Sequence, residues 1–343
     1  MKLTEIVKIL DIQPIEGADR IDRARVLGWS VIIRKGLHQV GDLVIFVAPD
    51  TMVPKQFLDE SYTGTDKIRL KTVRMKGQYS AGLILPLTVL SLPDSVSEGD
   101  EVSEELNIEK YEKAIPAQLA GQIVGDFPTF LVSKTDEDNA RSNLSALEEM
   151  KVLDNEIVIS LKMDGTSFSA IYTSEKGLSI CSRNYELKYD PNNIFWKLAE
   201  KHRLGELLKE HYDSSGEQLS IQGELCASNI NGGNTGVVEP TLFVFLISEV
   251  SNRHWKSCDQ MMRFCDIWDL DHVPEILCGP RFTGKTLPDI EELQKISNDQ
   301  KYFRSGKPAE GIVLRTNEAV PSNSLSKSWV SLKVINQIYD SKN

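Results

Sequence analysis

Through the first ninety positions, apolar residues run in short blocks or alternate with polar ones, and turn formers interrupt them every few residues. Glu5–Ile12, Ala24–Leu27, Trp29–Arg34, Asp42–Val47 and Ser80–Leu85 read as strands, with turns at Glu16-Gly17-Ala18-Asp19, Lys35-Gly36 and Val40-Gly41-Asp42. About five short strands in so little chain predict a small barrel of the OB type. From Pro93 to about Pro128 the chain is acidic and then mixed, which predicts a linker with a short helix near Tyr111. A helix from Asn143 to Met150 should then precede an apolar β run, Ile157 to Leu161. Later apolar runs, Leu178–Asn184, Leu219–Leu225, Thr241–Ile247, Glu310–Arg315 and Ser328–Ile335, predict further strands. The fold class is therefore α+β: an OB-fold β-barrel with its linker over residues 1–110, then a second domain over 111–343.

Each late strand carries one polar residue where an apolar one would pack better. Lys162 ends the Ile157 run, and Asp164-Gly165 supplies a tight turn before a second β run from Thr166 to Ile171. An amine held at the end of a buried strand is partly desolvated, which should lower its pKa and expose a nucleophile. Glu224 sits beside Gly223 in an apolar strand, where a lone carboxylate is costly unless function or a salt bridge accounts for it. Phe243 and Phe245 share a face and, by themselves, read as core; Glu310 heads another buried run, and Lys333 interrupts the last one.

Composition narrows the partners. With a net charge of −11, the chain can meet nucleic acid only through a local basic patch. Lys67, Arg69, Lys71, Arg74 and Lys76 form the most basic stretch, and in a strand the first three would share one face. Such a row suits a phosphate backbone or triphosphate, and equally a solvated edge strand guarded by lysines. Cys181, Cys226, Cys258, Cys265 and Cys278 contain no C-x-x-C pair, as expected for reduced thiols in a cytoplasmic or other reducing compartment. No apolar run approaches the roughly 20 residues of a membrane span, and no signal-peptide pattern opens the chain.

Taken in order, Lys162-Met163-Asp164-Gly165, Ser182-Arg183-Asn184, Gly223-Glu224, Phe243–Ile247, Glu310–Arg315 and Ser331-Leu332-Lys333 resemble motifs I, Ia, III, IIIa, IV and V of the covalent nucleotidyltransferases. Ile15–Ile21 with Val26-Leu27-Gly28-Trp29 resembles OB modules of the tRNA-binding type, and Ile68–Leu83 resembles a signature stretch of the N-terminal module of the fifth-family RNA ligases. DNA ligases and capping enzymes carry their OB domain after motif V. With the OB-like module in front, the chain resembles the ATP-dependent RNA ligases of the fifth family.

That resemblance implies an ATP-grasp-like domain of antiparallel sheets with helices, and roles for its residues. Lys162 would carry AMP. Asp164 and Gly165 would border the nucleotide, with Asp164 on the ribose or the metal's waters, and Glu224 and Glu310 would anchor hydrated Mg²⁺ or Mn²⁺. Phe245 would stack on adenine, Arg183 would reach the ribose or an RNA phosphate, and Lys333 the α-phosphate. By analogy, Lys67 to Lys76 would orient pyrophosphate or touch RNA. The implied partners are ATP and RNA, or an RNA-containing duplex with a break, acting on a monomer. The alternatives are an RNA-binding protein or inactive relative that holds ATP, and a guanylyltransferase, separable by its preference for GTP.

The chain departs from the family pattern at three places. Leu161 stands where relatives often have Glu, so adenine selection would fall to backbone groups. Ser331 and Ile335 flank Lys333 where K-x-K is common, leaving Lys327 as a replacement cation, and Cys226–Asn231 lacks an expected glycine. Gly279–Thr286 matches the P-loop pattern G-x-x-x-x-G-K-[ST], but bulky Arg281 and Phe282 and a helix expected only after Thr286 argue against it. His38, His202, His211, His254 and His272 show no metal-ligand spacing.

Overall fold

The computed structural model describes residues 2–58, 66–111, 122–250, 252–276, 281–325 and 329–342. The chain divides into two compact units, one of residues 1–114, 139–144 and 337–343, the other of 115–138 and 145–336.

In the first unit the expected strands form, with different limits. Glu5–Ile12 is two strands, Thr4–Lys8 and Asp11–Pro14, which join different sheets. Thr4–Lys8 and Leu83–Pro86 flank Leu43–Val47, while Asp11–Pro14, Ile21–Val26 and Trp29–Arg34 form a meander. Alternation explains why Leu43–Val47 is almost wholly apolar: Val44 and Phe46 enter one core with Trp29, and Ile45 and Val47 enter a second with Val53 and Leu106. The expected helix near Tyr111 is not found at Tyr111 itself; residues 112–121 lie outside the described residues.

The second unit is built on two antiparallel sheets. In the six-stranded sheet the order is Ile123–Asp126, Tyr185–Leu187, Gly177–Cys181, Thr166–Thr173, Leu219–Cys226 and Thr241–Glu249. Four strands of the five-stranded sheet, Ser331–Ile335, Gly311–Thr316, Glu156–Lys162 and Phe282–Thr283, lie side by side in that order. The helix expected at Asn143–Met150 runs from Leu144 to Val152. Helices Ile194–Lys201, Leu204–Ser215 and Cys258–Trp268 add to the elements expected above. Two of them start on side-chain caps: Asn193 accepts from the Phe195 amide, and Ser257 and Gln260 form a capping box. Their apolar faces close one side of the six-stranded sheet around Phe168, Leu198, Leu208 and Ile221.

The P-loop match is a packing feature. Gly284-Lys285-Thr286 forms one short 3₁₀ turn, and the following helix begins at Ile290. A Cβ on Gly284 would lie 2.5–2.8 Å from the carbonyl oxygens of Leu153, Lys151 and Met150, so the glycine permits close approach to that helix end. Arg281 is clamped by Glu275, Asp259 and Glu156. Gly279 and Pro280 lie outside the described residues. Among the described residues no helix is long and apolar enough to cross a membrane. Cys181, Cys226, Cys258 and Cys265 are free thiols, and burial raises the first to about 12 and the third to about 11. Cys278 lies outside the described residues.

Candidate active site

Strand Glu156–Lys162 pairs with Gly311–Thr316, which pairs in turn with Ser331–Ile335. Lys162 stands opposite Gly311, Ser160 opposite Val313, and Val313 opposite Lys333. Opposed residues share a face, as do residues two apart, so Lys162 and Lys333 project from the same face of this sheet. The two β runs around Met163-Asp164-Gly165 do not form a hairpin. The segment crosses from the five-stranded sheet to the six-stranded one, where Thr166–Thr173 pairs with Leu219–Cys226. Glycine is required at this crossing because a Cβ on Gly165 would meet the Leu225 carbonyl oxygen at 2.4 Å and Glu224 Cγ at 2.9 Å.

The crossing gathers the predicted carboxylates around the amine. Lys162 Nζ lies 2.7 Å from Glu310 Oε1, with its side chain 24% exposed. Glu224 Oε1 accepts from the Gly165 amide at 3.1 Å. Burial pulls the Lys162 pKa down, but Glu310, then Glu224 and Asp164, outweigh it, so the lysine is held above its ordinary value. The lowered pKa expected from strand burial is thus reversed, because negative charge exceeds the desolvation effect. Glu224 is pushed up to about 7, first by burial and further by Glu310 and Asp164, against the opposing pull of Lys162 and the Gly165 amide. Three carboxylates around one ammonium leave surplus negative charge, which suits a divalent cation. Among the described residues no three acidic, His or Cys side chains enclose a metal by themselves. The carboxylate oxygens of Glu224 and Glu310 are donors of the kind a hard cation takes while keeping several waters.

Two further groups, unmarked by motif reading, fix this cluster. Asp164 is buried, and its Oδ1 and Oδ2 accept from Asn231 Nδ2 at 2.7 Å and Asn234 Nδ2 at 2.9 Å. Asn231 also donates to the Gly165 carbonyl at 2.6 Å. Their only sequence signal is the turn-rich run Asn231-Gly232-Gly233-Asn234, which begins where the glycine-less stretch Cys226–Asn231 ends. Tyr302, 2% exposed, donates its hydroxyl to the Lys162 carbonyl at 2.9 Å and accepts from the Glu310 amide at 3.1 Å. Burial and Glu310 raise its pKa, so it stays a neutral donor.

The remaining predicted residues fall into separate settings. The sheet register shifts at Gln222/Gly223, so Phe243 stands opposite Glu224 while Phe245 occupies the irregularity. Both rings pack against the cluster containing Leu161, Met163 and Tyr302. Arg315 lies 5.4 Å from the Phe245 ring centroid, donates to the Phe245 carbonyl and to Glu137, and reaches Ser331 Oγ at 3.2 Å. Ser331, at the position of a second motif V lysine, thus serves an internal arginine. The Leu161 amide is taken by the Pro274 carbonyl at 2.8 Å. Arg183 lies in the turn after Gly177–Cys181 and pairs with Asp136 at 2.8 Å, not with the Lys162 cluster. Lys327 lies outside the described residues.

The basic stretch of the first unit is not one strand face. Its strand ends at Arg69, and Lys71 lies beyond it. Lys67 pairs with Glu109; Arg69 pairs with Asp50 at 2.7 Å and covers the Tyr111 ring at 4.2 Å. Arg74 covers Tyr79 at 5.3 Å, and Lys76 turns the hairpin between Val73–Met75 and Gln78–Ser80 with φ 47°. Both alternatives left open by the sequence keep a footing here: acids partner the first two cations, and Lys71 and Lys76 are exposed.

No curated protein matches this sequence. Solved structures of the Naegleria gruberi RNA ligase do, at 25% identity. A lysine-to-methionine mutant with AMP and Mn aligns over 100% of this chain and 99% of that one with a TM-score of 0.86. The ligase with PPi aligns over the same shares with a TM-score of 0.84. An OB-fold domain model matches residues 3–87, and the RNA ligase model matches residues 155–335, which include Lys162, Glu224, Glu310 and Lys333. With more than half its length so matched, and its lysine and carboxylates drawn to one point, the chain belongs to the RNA ligase family.

Proposed function

We propose that this ATP-dependent RNA ligase closes a break between a 3′-hydroxyl and a 5′-phosphate in a duplex, acting as a monomer in three transfers. Lys162 Nζ, after losing a proton, attacks the α-phosphorus of ATP; a phosphoramide bond forms and pyrophosphate leaves. The RNA 5′-phosphate oxygen then attacks the same phosphorus, which returns the Lys162 amine and leaves the RNA end adenylylated. Finally the 3′-hydroxyl attacks the 5′-phosphorus, its proton is lost, and AMP departs.

The observation that carries this reading is the pairing of Lys162 with Glu310 at 2.7 Å, within reach of the charges of Glu224 and Asp164. Glu224 and Glu310 would hold Mg²⁺ or Mn²⁺, which supplies positive charge to the transferring phosphate and favours the neutral amine. Lys333, on the face of Lys162, would meet the α-phosphate, Phe245 the adenine, and Asp164 with Gly165 the ribose side. Arg183 and the cations Lys67, Arg69, Lys71, Arg74, Lys76 and Lys327 would contact phosphate or RNA. The test is incubation with α-³²P-ATP and Mn²⁺, then with a 5′-phosphorylated nicked RNA duplex. A labelled protein adduct, lost in Lys162→Ala and chased by the duplex into sealed product, is expected. Absence of label from the native protein, or label on Lys162→Ala, overturns the reading.

A further inference from the structure

Just before Glu310 the chain reads Lys301-Tyr302-Phe303-Arg304-Ser305-Gly306-Lys307: three cations, two aromatics and no acid in a protein of net charge −11. The stretch is a closed loop. Lys301 bridges to Pro308, the Tyr302 amide donates to the Lys307 carbonyl at 2.9 Å, and the Gly306 amide donates to the Tyr302 carbonyl at 2.8 Å. Its adjacent aromatics point to opposite environments. Tyr302 is 2% exposed and bonded to Lys162 and Glu310, whereas Phe303 is 102% exposed.

Core packing does not account for Phe303, because its ring rests on nothing. An aromatic left wholly in water beside exposed Lys301, Arg304 and Lys307 has the make-up of a single-strand platform, where rings stack on bases and cations follow phosphates. Among the described residues neither Lys301 nor Arg304 has an ion-pair partner, and Lys307 reaches the neutral Asn234 Oδ1, at 3.3 Å. The loop is also tied to the reacting centre at both ends. Tyr302 anchors its start to Lys162; Ser305 Oγ donates to the Asn234 carbonyl at 2.6 Å, and the Asn234 side chain holds Asp164.

We propose that the 301–307 loop docks the RNA strand beside the break, with Phe303 stacking on a base and Arg304 and Lys307 contacting the flanking phosphates. The inference rests on the ligase reading above. Its test uses the isolated protein-AMP adduct, so that ATP chemistry is already complete, and a nicked RNA duplex with a 5′-phosphate. Phe303→Ala is expected to weaken duplex binding and slow sealing per adenylylated molecule by about five- to a hundredfold, the range of one lost base stack. Phe303→Trp should restore most of both. Arg304→Gln and Lys307→Gln should each reduce the slope of log affinity against log salt by about one.

Unchanged binding and sealing in Phe303→Ala, or unchanged salt slopes, overturns the proposal. So does a Phe303→Ala protein that seals normally while sedimentation shows that a native oligomer has dissociated, which would make the ring a protein contact. If the native protein forms no adduct, the ligase reading fails separately, and duplex binding by the unadenylylated protein still reports on the loop.

Discussion

The Tyr302 hydroxyl hydrogen-bonds the main-chain carbonyl of Lys162, 2.9 Å away, and so joins the end of the Lys162 strand to the segment carrying Glu310. Tyr302→Phe keeps the packing but removes both bonds and leaves the Glu310 amide without its acceptor. A loss of about 1–3 kcal/mol in urea unfolding is expected. Adduct formation should slow by roughly ten- to a hundredfold through misplacement of the amine, with little change in KM for ATP. Single-turnover labelling across ATP concentrations checks the split.

Glu224 gives a pH dependence with a defined sign. Its folded-state pKa of about 7 lies above the ordinary carboxylate value, so the native protein keeps this proton to higher pH than the unfolded chain. Its contribution therefore becomes destabilising as pH rises through that window. Glu224→Gln in metal-free buffer should stabilise by up to about 3 kcal/mol at pH 8 and by almost nothing at pH 4. Urea titrations at both pH values measure the difference. Calorimetry should also show Mn²⁺ binding to the native protein weakening below pH 7, where the proton competes.

Arg315 and Glu137 form a pair whose side chains are only 10% and 7% exposed. Arg315→Met strips Glu137 of its cation and should cost about 3–5 kcal/mol. That corresponds to a fall in Tm of roughly ten degrees in a unit of this size. Arg315→Met combined with Glu137→Leu should recover much of the loss, because removing both charges leaves neither buried alone. Differential scanning calorimetry of the native protein, the two single variants and the double variant tests this.

The P-loop match yields a contrast between neighbours. Lys285 is exposed, so Lys285→Ala should leave adduct formation within about twofold and stability within about 0.5 kcal/mol. Gly284→Ala drives a methyl into three carbonyl oxygens and should destabilise by about 1–3 kcal/mol. A large loss of labelling in Lys285→Ala would restore a phosphate role for the pattern.

Much of the fold and site is legible in residue order because the relevant information is local. Val158 to Leu161 declares a buried strand, and Lys162, Glu224, Glu310 and Lys333 each interrupt an apolar run where only a partner or a function offsets the cost. Tyr302 was hidden because a buried tyrosine looks like any core aromatic until its hydroxyl's partners are known. Asn231 and Asn234 were hidden in a stretch whose composition says only that the chain turns. The basic row of the first unit does not share one face because the strand, and with it the two-residue periodicity, stops at Arg69.

Residue order carries the succession of strands and marks Lys162 as the candidate nucleophile with Glu224 and Glu310 as its candidate acids, since these are properties of residue type and spacing along single strands. Sheet packing, not local sequence, puts Lys162 and Thr166 in different sheets, sets Lys162 and Lys333 on one face and brings the charges of three carboxylates to the amine. The sign of the Lys162 shift follows from that convergence: desolvation can be guessed from one strand, but the opposing Coulomb sum depends on charges delivered by segments distant in the chain.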